Sequence, residues 1–322
     1  MRSSPTPELS NFAADVLAGL SSSPKSLTSK YFYDDRGSLL FQEIMKLPEY
    51  YLTNCEIEIF TDQSNGIYDE FVDGGYPIDL IELGAGDGTK TEILIESFLQ
   101  KKQDITYSPI DISREAIGAI TTRFRSRFPQ LAMHPRVGDY FSILESLRDS
   151  GGRRKVVLFL GSNIGNFSRD ESIRFFRDLN RVLNRNDLLF IGFDLQKDPN
   201  VIVSAYDDSA GITAEFNLNL LDRINRELGG KFDTDKFAHY ANYHPIEGSA
   251  RSYLISLEKQ TVEIAALGRA FEFEQWEAVF MEISQKYNLR MIDDLATESG
   301  FAVKRNFFDS RNYYCDSLWQ MR

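Results

Sequence analysis

The fold is decided by residues 78–101, which read "IDLIELGAGDGTKTEILIESFLQK". An apolar run typical of a buried strand ends in three glycines, Gly84, Gly86 and Gly88, and apolar residues at helical spacing follow them. Glycine lets the backbone turn sharply and come close to a ligand. This stretch therefore predicts a strand, a tight turn that can approach a ligand, and a helix.

The alternation of strand and helix continues along the chain. Further strand-like runs lie at 106–112, 133–140, 155–161 and 187–195. Helices are predicted at 141–149, after the capping residue Ser113, and after Ser168, which forms a capping box with Glu171. This pattern predicts an α/β fold, with a doubly wound, Rossmann-like parallel sheet that binds ligands at the carboxyl ends of its strands.

The pattern changes after residue 196. A long helix is predicted at 212–230, antiparallel strands follow it, and a final helix with a hairpin-like end returns to the sheet. We interpret the changed segment as an insertion against which the helical N-terminal region packs. The prediction is a Rossmann-like domain of 63–196 plus 287–322 and a second, α+β domain of 1–62 plus 197–286.

Composition and charge narrow the class of partner. The chain has 322 residues, 42% of them hydrophobic, and a formal net charge of −12 at pH 7. Binding to a phosphate backbone depends on clustered Lys and Arg that release counterions, so nucleic acid is not an expected partner. No run approaches the ~20 apolar residues of a membrane span, so no membrane partner is expected either. A small molecule is the expected partner.

Cysteine and histidine usage bears on location and metal binding. Cys55 and Cys315 are too few and too far apart for a disulfide framework, so we expect a reducing, cytoplasmic location. His134, His239 and His244 lack the spacing of metal ligands, so we expect no metal.

The glycine turn and two strand ends predict a cofactor site. The dinucleotide fingerprint requires a glycine where Thr89 stands, which favours a cofactor without a pyrophosphate. Asp111 ends the second strand, where an acidic residue can accept hydrogen bonds from ribose hydroxyls. Asp139 and Tyr140 end the third strand and can contact an adenine ring. In this order the residues look like the S-adenosylmethionine site of a class I methyltransferase, although each alone could be a turn residue.

Four longer motifs carry a more specific resemblance. They are "PKSLTSKYFYDDRGSLLFQEIMKLPEYYLT" (24–53), "LFLGSNIGNF" (158–167), "SAYDDSAGITAEFNLNLLDRINREL" (204–228) and "MEISQKY" (281–287). Together they resemble the histidine-specific Nα-methyltransferases of ergothioneine biosynthesis over nearly the whole chain. The resemblance implies transfer of three methyl groups from S-adenosylmethionine to the α-amino group of histidine, giving hercynine, without a metal. It also implies a monomer, in which the Rossmann-like domain binds the cofactor and the α+β domain binds the substrate.

The resemblance also implies roles for individual residues. Those implied to face the cofactor are Gly84, Lys90, Asp111, Asp139 and Tyr140, although the family often has Phe at the last position. Those implied to bind the substrate are Asn166 and Tyr206 at the carboxylate, Tyr33 near the amine, and Tyr50, Glu282 and Ser284 at the imidazole. Tyr33, Asn166 and Tyr206 would also serve catalysis. Well-known members carry Met where Ser252 stands here, and the smaller residue would enlarge the pocket.

The residues themselves leave simpler interpretations open. On a strand, Glu282 and Ser284 face the same side, alongside Phe280, and can hydrogen-bond an imidazole. Glu282 could instead be an exposed residue that pairs with Lys286.

Other site residues have structural alternatives as well. Tyr50 and Tyr206 could be half-buried core aromatics, and Asp207, Asp208 and Thr213 could cap the next helix. Asn163 is assigned to the turn.

Three other functions remain open from the sequence. The first is a related methyltransferase that acts on another amino acid or an imidazole amine, which Ser252 motivates. The second is a nicotinamide-dependent oxidoreductase, which Thr89 disfavours. The third is a non-catalytic amino-acid-binding protein, which the presence of both Asp111 and Asn166 disfavours.

Overall fold

The computed structural model describes residues 7–138 and 152–322, with the side chains of residues 7–9 left aside. Asp139, Tyr140 and the helix predicted at 141–149 lie outside the described residues. The chain divides into two compact units. The α+β unit comprises Met1–Tyr51 and Asp198–Ser284, and the Rossmann-like unit comprises Leu52–Lys197 and Gln285–Arg322.

Helices and strands are numbered along the described chain. The helices are α1 (Pro7–Ser21), α2 (Asp35–Ile44), α3 (Tyr51–Asp62), α4 (Ser64–Val72), α5 (Thr89–Gln100), α6 (Arg114–Arg127), α7 (Arg169–Val182), α8 (Pro199–Ser204), α9 (Ile212–Leu228) and α10 (Leu289–Glu298). The strands are β1 (Lys25–Ser26), β2 (Ile78–Leu83), β3 (Ile105–Asp111), β4 (Ala132–Met133), β5 (Arg136–Val137), β6 (Arg154–Phe159), β7 (Leu188–Asp194), β8 (Phe237–His244), β9 (Ser249–Ser256), β10 (Gln260–Ile264), β11 (Arg269–Phe273), β12 (Ala278–Gln285), β13 (Phe301–Phe308) and β14 (Tyr314–Met321).

The Rossmann-like unit is built on one sheet with the strand order β13-β14-β7-β6-β2-β3-β4, and β5 also pairs with β3. Strands β2, β3, β6 and β7 run parallel, whereas β14 is antiparallel to both β7 and β13. Every residue of β6 and β7 is buried, as expected for strands covered on both faces. The predicted α/β class is confirmed, with an antiparallel hairpin at one edge of the sheet.

The weak strand predicted at 133–140 is two short strands in the structure. β4 and β5 each pair with β3 over two residues. Pro135 lies between them and has no N–H to donate to the ladder, which explains the interruption.

Both predicted helix caps are present in the Rossmann-like unit. The Ser113 hydroxyl accepts a hydrogen bond from the backbone N–H of Ala116 at 3.1 Å. Ser168 and Glu171 form the reciprocal capping box, with the Ser168 N–H donating to Glu171 Oε2 at 2.8 Å. These caps fix where the chain leaves the sheet edge after β3 and β6.

The α+β unit contains a four-stranded sheet of order β1-β12-β9-β8 and a separate β10-β11 hairpin. β8 and β9 pair antiparallel over eight residue pairs, and α9 packs against the sheet. Apolar residues of this helix and of the strands share one buried core, which includes Phe216, Leu220, Ile224, Leu254 and Met281. The second α+β domain predicted from the sequence is therefore present.

Residues 52–62 lie in the Rossmann-like unit, whereas the sequence placed them with the α+β domain. Helix α3 buries Cys55, Ile59 and Phe60 completely. The Phe60 ring stacks on Phe190 of β7 with the ring centroids 6.0 Å apart. Helical spacing identifies which residues of a helix are buried but not which sheet buries them, so the boundary was misplaced by one helix.

None of the helices within 7–138 and 152–322 is long and apolar enough to cross a membrane.

Candidate active site

The glycine turn after β2 is joined to the end of β3 through Asp111. Gly84, Gly86 and Gly88 have φ angles of +72°, +55° and +67°, a left-handed conformation that favours glycine. Asp111 accepts hydrogen bonds from the backbone N–H groups of Gly86 and Ser113, both at 2.9 Å. Each carboxylate oxygen accepts one of these bonds and can accept another, so Asp111 can hold the turn and still accept from a hydroxyl-bearing ligand.

Lys90, in the first turn of α5, forms an ion pair with Glu56 of α3. Burial lowers the pKa of Lys90, but the neighbouring Glu56 carboxylate raises it, and the net shift is upward. Lys90 is therefore a fixed positive charge close to the glycine turn. Its side chain is 19% exposed, so part of it remains accessible.

Glu56 itself is completely buried and links three segments of the Rossmann-like unit. Besides Lys90, its carboxylate accepts from the backbone N–H of Gly161, at the end of β6, and from the Tyr314 hydroxyl of β14, both at 3.0 Å. Glu56 therefore positions the turn that leads from β6 to Asn166. This role was not predicted from the sequence, because an acidic residue on a helix usually faces solvent.

Glu82 is a second buried carboxyl group, within β2. Burial raises its pKa to about 7, while hydrogen bonds from the Tyr107 hydroxyl at 2.5 Å and the Thr91 hydroxyl at 2.7 Å oppose the rise. These bonds tie β2 to β3 and α5 directly behind the glycine turn. Glu82 therefore belongs to the support of the turn, which its apolar neighbours in the sequence did not indicate.

The end of β7 carries a buried charge cluster that the sequence did not predict. Lys286 and Asp194 are completely buried, and their Nζ and Oδ2 atoms lie 2.7 Å apart. Lys197 forms a second ion pair with the same carboxylate. The Asp194 backbone N–H donates to the Ser162 hydroxyl at 3.1 Å, which connects β7 to the turn after β6. Lys286 is thus buried and paired with Asp194, and the alternative in which an exposed Glu282 pairs with Lys286 stays a prediction.

In the α+β unit, Tyr206 and Ser284 are brought into direct contact. The Tyr206 hydroxyl donates to Ser284 Oγ at 2.7 Å. Behind them, His239 Nε2 lies 2.9 Å from the Tyr206 carbonyl oxygen. Burial lowers the pKa of His239, so the ring is neutral at pH 7 and its Nε2–H donates to that carbonyl. His239 thus orients Tyr206. From the sequence, His239 was considered only as a possible metal ligand, so this role was not predicted.

Tyr33 and Tyr50 lie at the margin of the core of the α+β unit, and both are half-buried. Tyr33 packs edge-on against Phe41 and Phe216, with centroid distances of 5.4 and 5.6 Å. Tyr50 packs against the same Phe41 at 6.0 Å. Tyr33 and Tyr50 therefore share one aromatic cluster, and for Tyr50 this position also fits the core role left open above.

Burial stops alternating regularly towards the end of β12. Phe280 and Ile283 line one cleft, whereas Met281 and Ser284 are both buried. Phe280 and Ser284 thus differ in burial, and the prediction that they share one face of the strand stays a prediction.

Two other predicted features concern β9 and the start of α9. Ser252 is 2% exposed in β9, where it lies opposite Ala241 of β8, so its side chain faces the interior of the unit.

Asp208 accepts hydrogen bonds from the backbone N–H groups of Ile212 at 3.0 Å and Thr213 at 2.7 Å. The predicted capping role is thus confirmed for Asp208.

The predicted site residues fall into two groups, one in each unit. The Rossmann-like unit carries Gly84, Lys90, Asp111 and Asn166, and the α+β unit carries Tyr33, Tyr50, Tyr206, Glu282 and Ser284. Gly84, Asp111 and Asn166 follow or end parallel strands, at the edge where doubly wound sheets bind ligands. The roles of Asp139 and Tyr140 concern residues outside the described ranges.

A family model described as "Histidine-specific methyltransferase, SAM-dependent" matches residues 12–321. The chain belongs to this family. Histidine N-alpha-methyltransferase of Mycobacterium tuberculosis is 36% identical over 273 residues, which cover 85% of this chain and 83% of that protein. The enzyme of the same name from Mycolicibacterium smegmatis is 35% identical over 286 residues, 89% of this chain and 87% of the relative. Ergothioneine biosynthesis protein 1 of Schizosaccharomyces pombe is 30% identical over 266 residues, 81% of this chain but 34% of its own length.

Membership of the histidine-specific methyltransferases settles the class of cofactor. S-adenosylmethionine is the methyl donor of the family, and the nicotinamide alternative is not favoured. The residues present fit this donor: a cation at Lys90, a carboxylate at Asp111 and a left-handed glycine turn between them. Within 7–138 and 152–322, no group of three His, Cys, Asp or Glu side chains is placed to hold a metal ion.

Proposed function

We propose that this chain methylates the α-amino group of L-histidine three times and so produces hercynine. The observation that carries the proposal is the match of residues 12–321 to the histidine-specific methyltransferase family. The names of the mycobacterial relatives, which are histidine N-alpha-methyltransferases, support the same substrate.

The Rossmann-like unit would bind the methyl donor. Bound S-adenosylmethionine supplies a methyl group on a sulfonium centre. Asp111 would accept hydrogen bonds from the ribose hydroxyls, Lys90 would face the carboxylate, and the Gly84 turn would let the backbone approach. Asp139 and Tyr140 are proposed to contact the adenine ring, since they end the third strand predicted from the sequence.

Substrate recognition would use both polar ends of histidine. Asn166 can donate to the carboxylate without adding a second charge. Tyr206 has a single phenolic hydrogen, which is donated to Ser284 in the structure. It can therefore serve either Ser284 or the substrate carboxylate, but not both. Substrate binding is proposed to redirect this hydrogen.

The imidazole ring would be held by Glu282 and Ser284. A carboxylate accepts only, so Glu282 would take the ring N–H. The Ser284 hydroxyl would donate to the other ring nitrogen once the Tyr206 hydrogen is redirected to the substrate carboxylate. This arrangement selects the neutral imidazole. Tyr50 would contact the ring from the aromatic cluster.

The chain's own residues have mainly a positioning role in the reaction. The amine must be neutral to attack, and a free α-amine has a pKa of about 8, so modest desolvation suffices. Tyr33 is proposed to lie near the substrate amine and to pass the amine proton to solvent. Strong hydrogen bonds to the α-nitrogen would prevent repeated methyl transfer. The enzyme is therefore proposed to hold histidine by its carboxylate and its imidazole ring. The face of a tyrosine ring can stabilise the quaternary product by cation–π attraction.

A second candidate is a methyltransferase of the same family that prefers another amino acid or an imidazole amine. The buried Ser252 motivates it, because a small side chain leaves more room on the inner face of β9. The test is kcat/KM over the amino acids and histamine, which lacks a carboxylate. Histidine is expected to have the highest value, and histamine a value lower by roughly 100-fold, since its anchor at Asn166 is lost. A clearly higher kcat/KM for another amino acid would replace histidine as the substrate.

The proposal includes a cytoplasmic monomer. Cys55 and Cys315 are free and buried, which agrees with a reducing compartment.

A further inference from the structure

Asn163 lies between two glycine turns of the Rossmann-like unit. It begins the short 3-10 helix Asn163–Asn166 after β6. A Cβ atom added to Gly84 would lie 3.1 Å from Asn163 Nδ2, and one added to Gly161 would lie 3.9 Å from its Oδ1. The same added atom on Gly161 would lie 3.3 Å from Lys90 Nζ. The amide and the Lys90 ammonium therefore border the same small space.

The side chain of Asn163 does not stabilise its own turn. The turn is closed by backbone bonds, from Asn163 N–H to Leu160 O at 3.4 Å and from Gly165 N–H to Ser162 O at 2.8 Å. A turn asparagine usually bonds backbone groups two residues away. Asn163 lies in the turn as predicted, but only its backbone takes part, because its amide makes no hydrogen bond to any residue in 7–138 or 152–322.

The position of Asn163 in the sheet indicates which part of a ligand it faces. β2 lies between β6 and β3 in the sheet. Asp111, at the end of β3, is therefore on one side of the glycine turn, and Asn163, after β6, is on the other. In the proposed function, on which this inference rests, Asp111 serves the ribose, so the opposite side of the turn, with Lys90, is left for the amino-acid end of the cofactor.

We infer that Asn163 binds the amino-acid end of S-adenosylmethionine. A primary amide offers an acceptor and two donors in one plane, and an α-amino acid presents an ammonium and a carboxylate. Oδ1 accepts from the ammonium, while Nδ2 donates to the carboxylate beside Lys90. Asn163 is thus a cofactor-binding residue, distinct from Asn166 three positions later, which is assigned to the substrate.

The test is calorimetric binding of two probes to the full chain and its variants. S-adenosylhomocysteine has the amino-acid end, whereas 5′-methylthioadenosine lacks it. Asn163→Ala is expected to raise the Kd of S-adenosylhomocysteine by about 10-fold and to change the Kd of methylthioadenosine by less than about two-fold. Asn163→Asp, of the same shape, places a negative charge towards the ligand carboxylate and is expected to weaken only S-adenosylhomocysteine, by more than alanine does.

Two results would overturn the inference. One is an unchanged Kd for S-adenosylhomocysteine in both variants. The other is an equal loss of affinity for both probes, which would assign Asn163 to the shape of the turn. The Asp variant keeps the test decisive if the Ala variant folds poorly, because it preserves the volume of the side chain.

Discussion

Replacing Glu56 with alanine is expected to lower the free energy of unfolding by about 3–5 kcal/mol. The substitution leaves the ammonium of Lys90 without its carboxylate partner in a largely buried position. It also removes the acceptor of the Gly161 N–H and the Tyr314 hydroxyl. Removing one partner of a buried ion pair is far more costly than the pair is stabilising, because the remaining charge is uncompensated.

The measurement is urea denaturation of the wild type, Glu56→Ala and Glu56→Gln. Glutamine keeps an oxygen acceptor but not the charge, so an intermediate loss is expected. Glu43→Ala is the control, since Glu43 pairs with Lys46 at the surface with side chains 56% and 68% exposed. Exposed pairs contribute about 0–1 kcal/mol. A Glu56→Ala variant as stable as Glu43→Ala would contradict the role given to this network.

Replacing Asn166 with alanine is expected to raise the KM for histidine by roughly 10- to 100-fold. The side chain is proposed to donate to the substrate carboxylate, and a hydrogen bond to a charged group contributes about 1.5–3 kcal/mol. The Kd of S-adenosylhomocysteine is expected to stay within about two-fold of the wild type, since Asn166 does not contact the cofactor in this account.

Asn186→Ala is the matched control for Asn166. Asn186 is exposed and precedes β7, at the opposite edge of the sheet from the carboxyl ends of the strands. Its replacement is expected to leave both constants unchanged. An unaltered KM in Asn166→Ala would remove this residue from the substrate site.

The elements that position the site could largely be predicted from the sequence. Buried strands such as β6 are continuous apolar runs, and the cap at Ser168 has a local signature. Gly84 and Asp111 could be placed because a strand, a turn and the next strand end follow in order. These sequence signals are local, so they can be recognised without knowledge of the tertiary packing.

What the sequence could not reveal depends on contacts between distant segments. From the sequence, Glu56 looks like an exposed residue of a helix. In the structure it is buried and accepts hydrogen bonds from the Gly161 N–H and the Tyr314 hydroxyl. His239 contacts the carbonyl of Tyr206 across 33 residues of chain. Asn163 and Asn166 were distinguished only in part from the sequence, because the position of the Asn163 amide beside Gly84 is a property of the folded turn.

The most direct test of the proposed function is a time course with histidine and excess S-adenosylmethionine, followed by mass spectrometry. The account predicts mono-, di- and trimethylhistidine in succession, with all methyl groups on the α-nitrogen and three molecules of S-adenosylhomocysteine released for each hercynine formed. Methylation of an imidazole nitrogen, or no turnover of histidine while the cofactor product still binds, would contradict it.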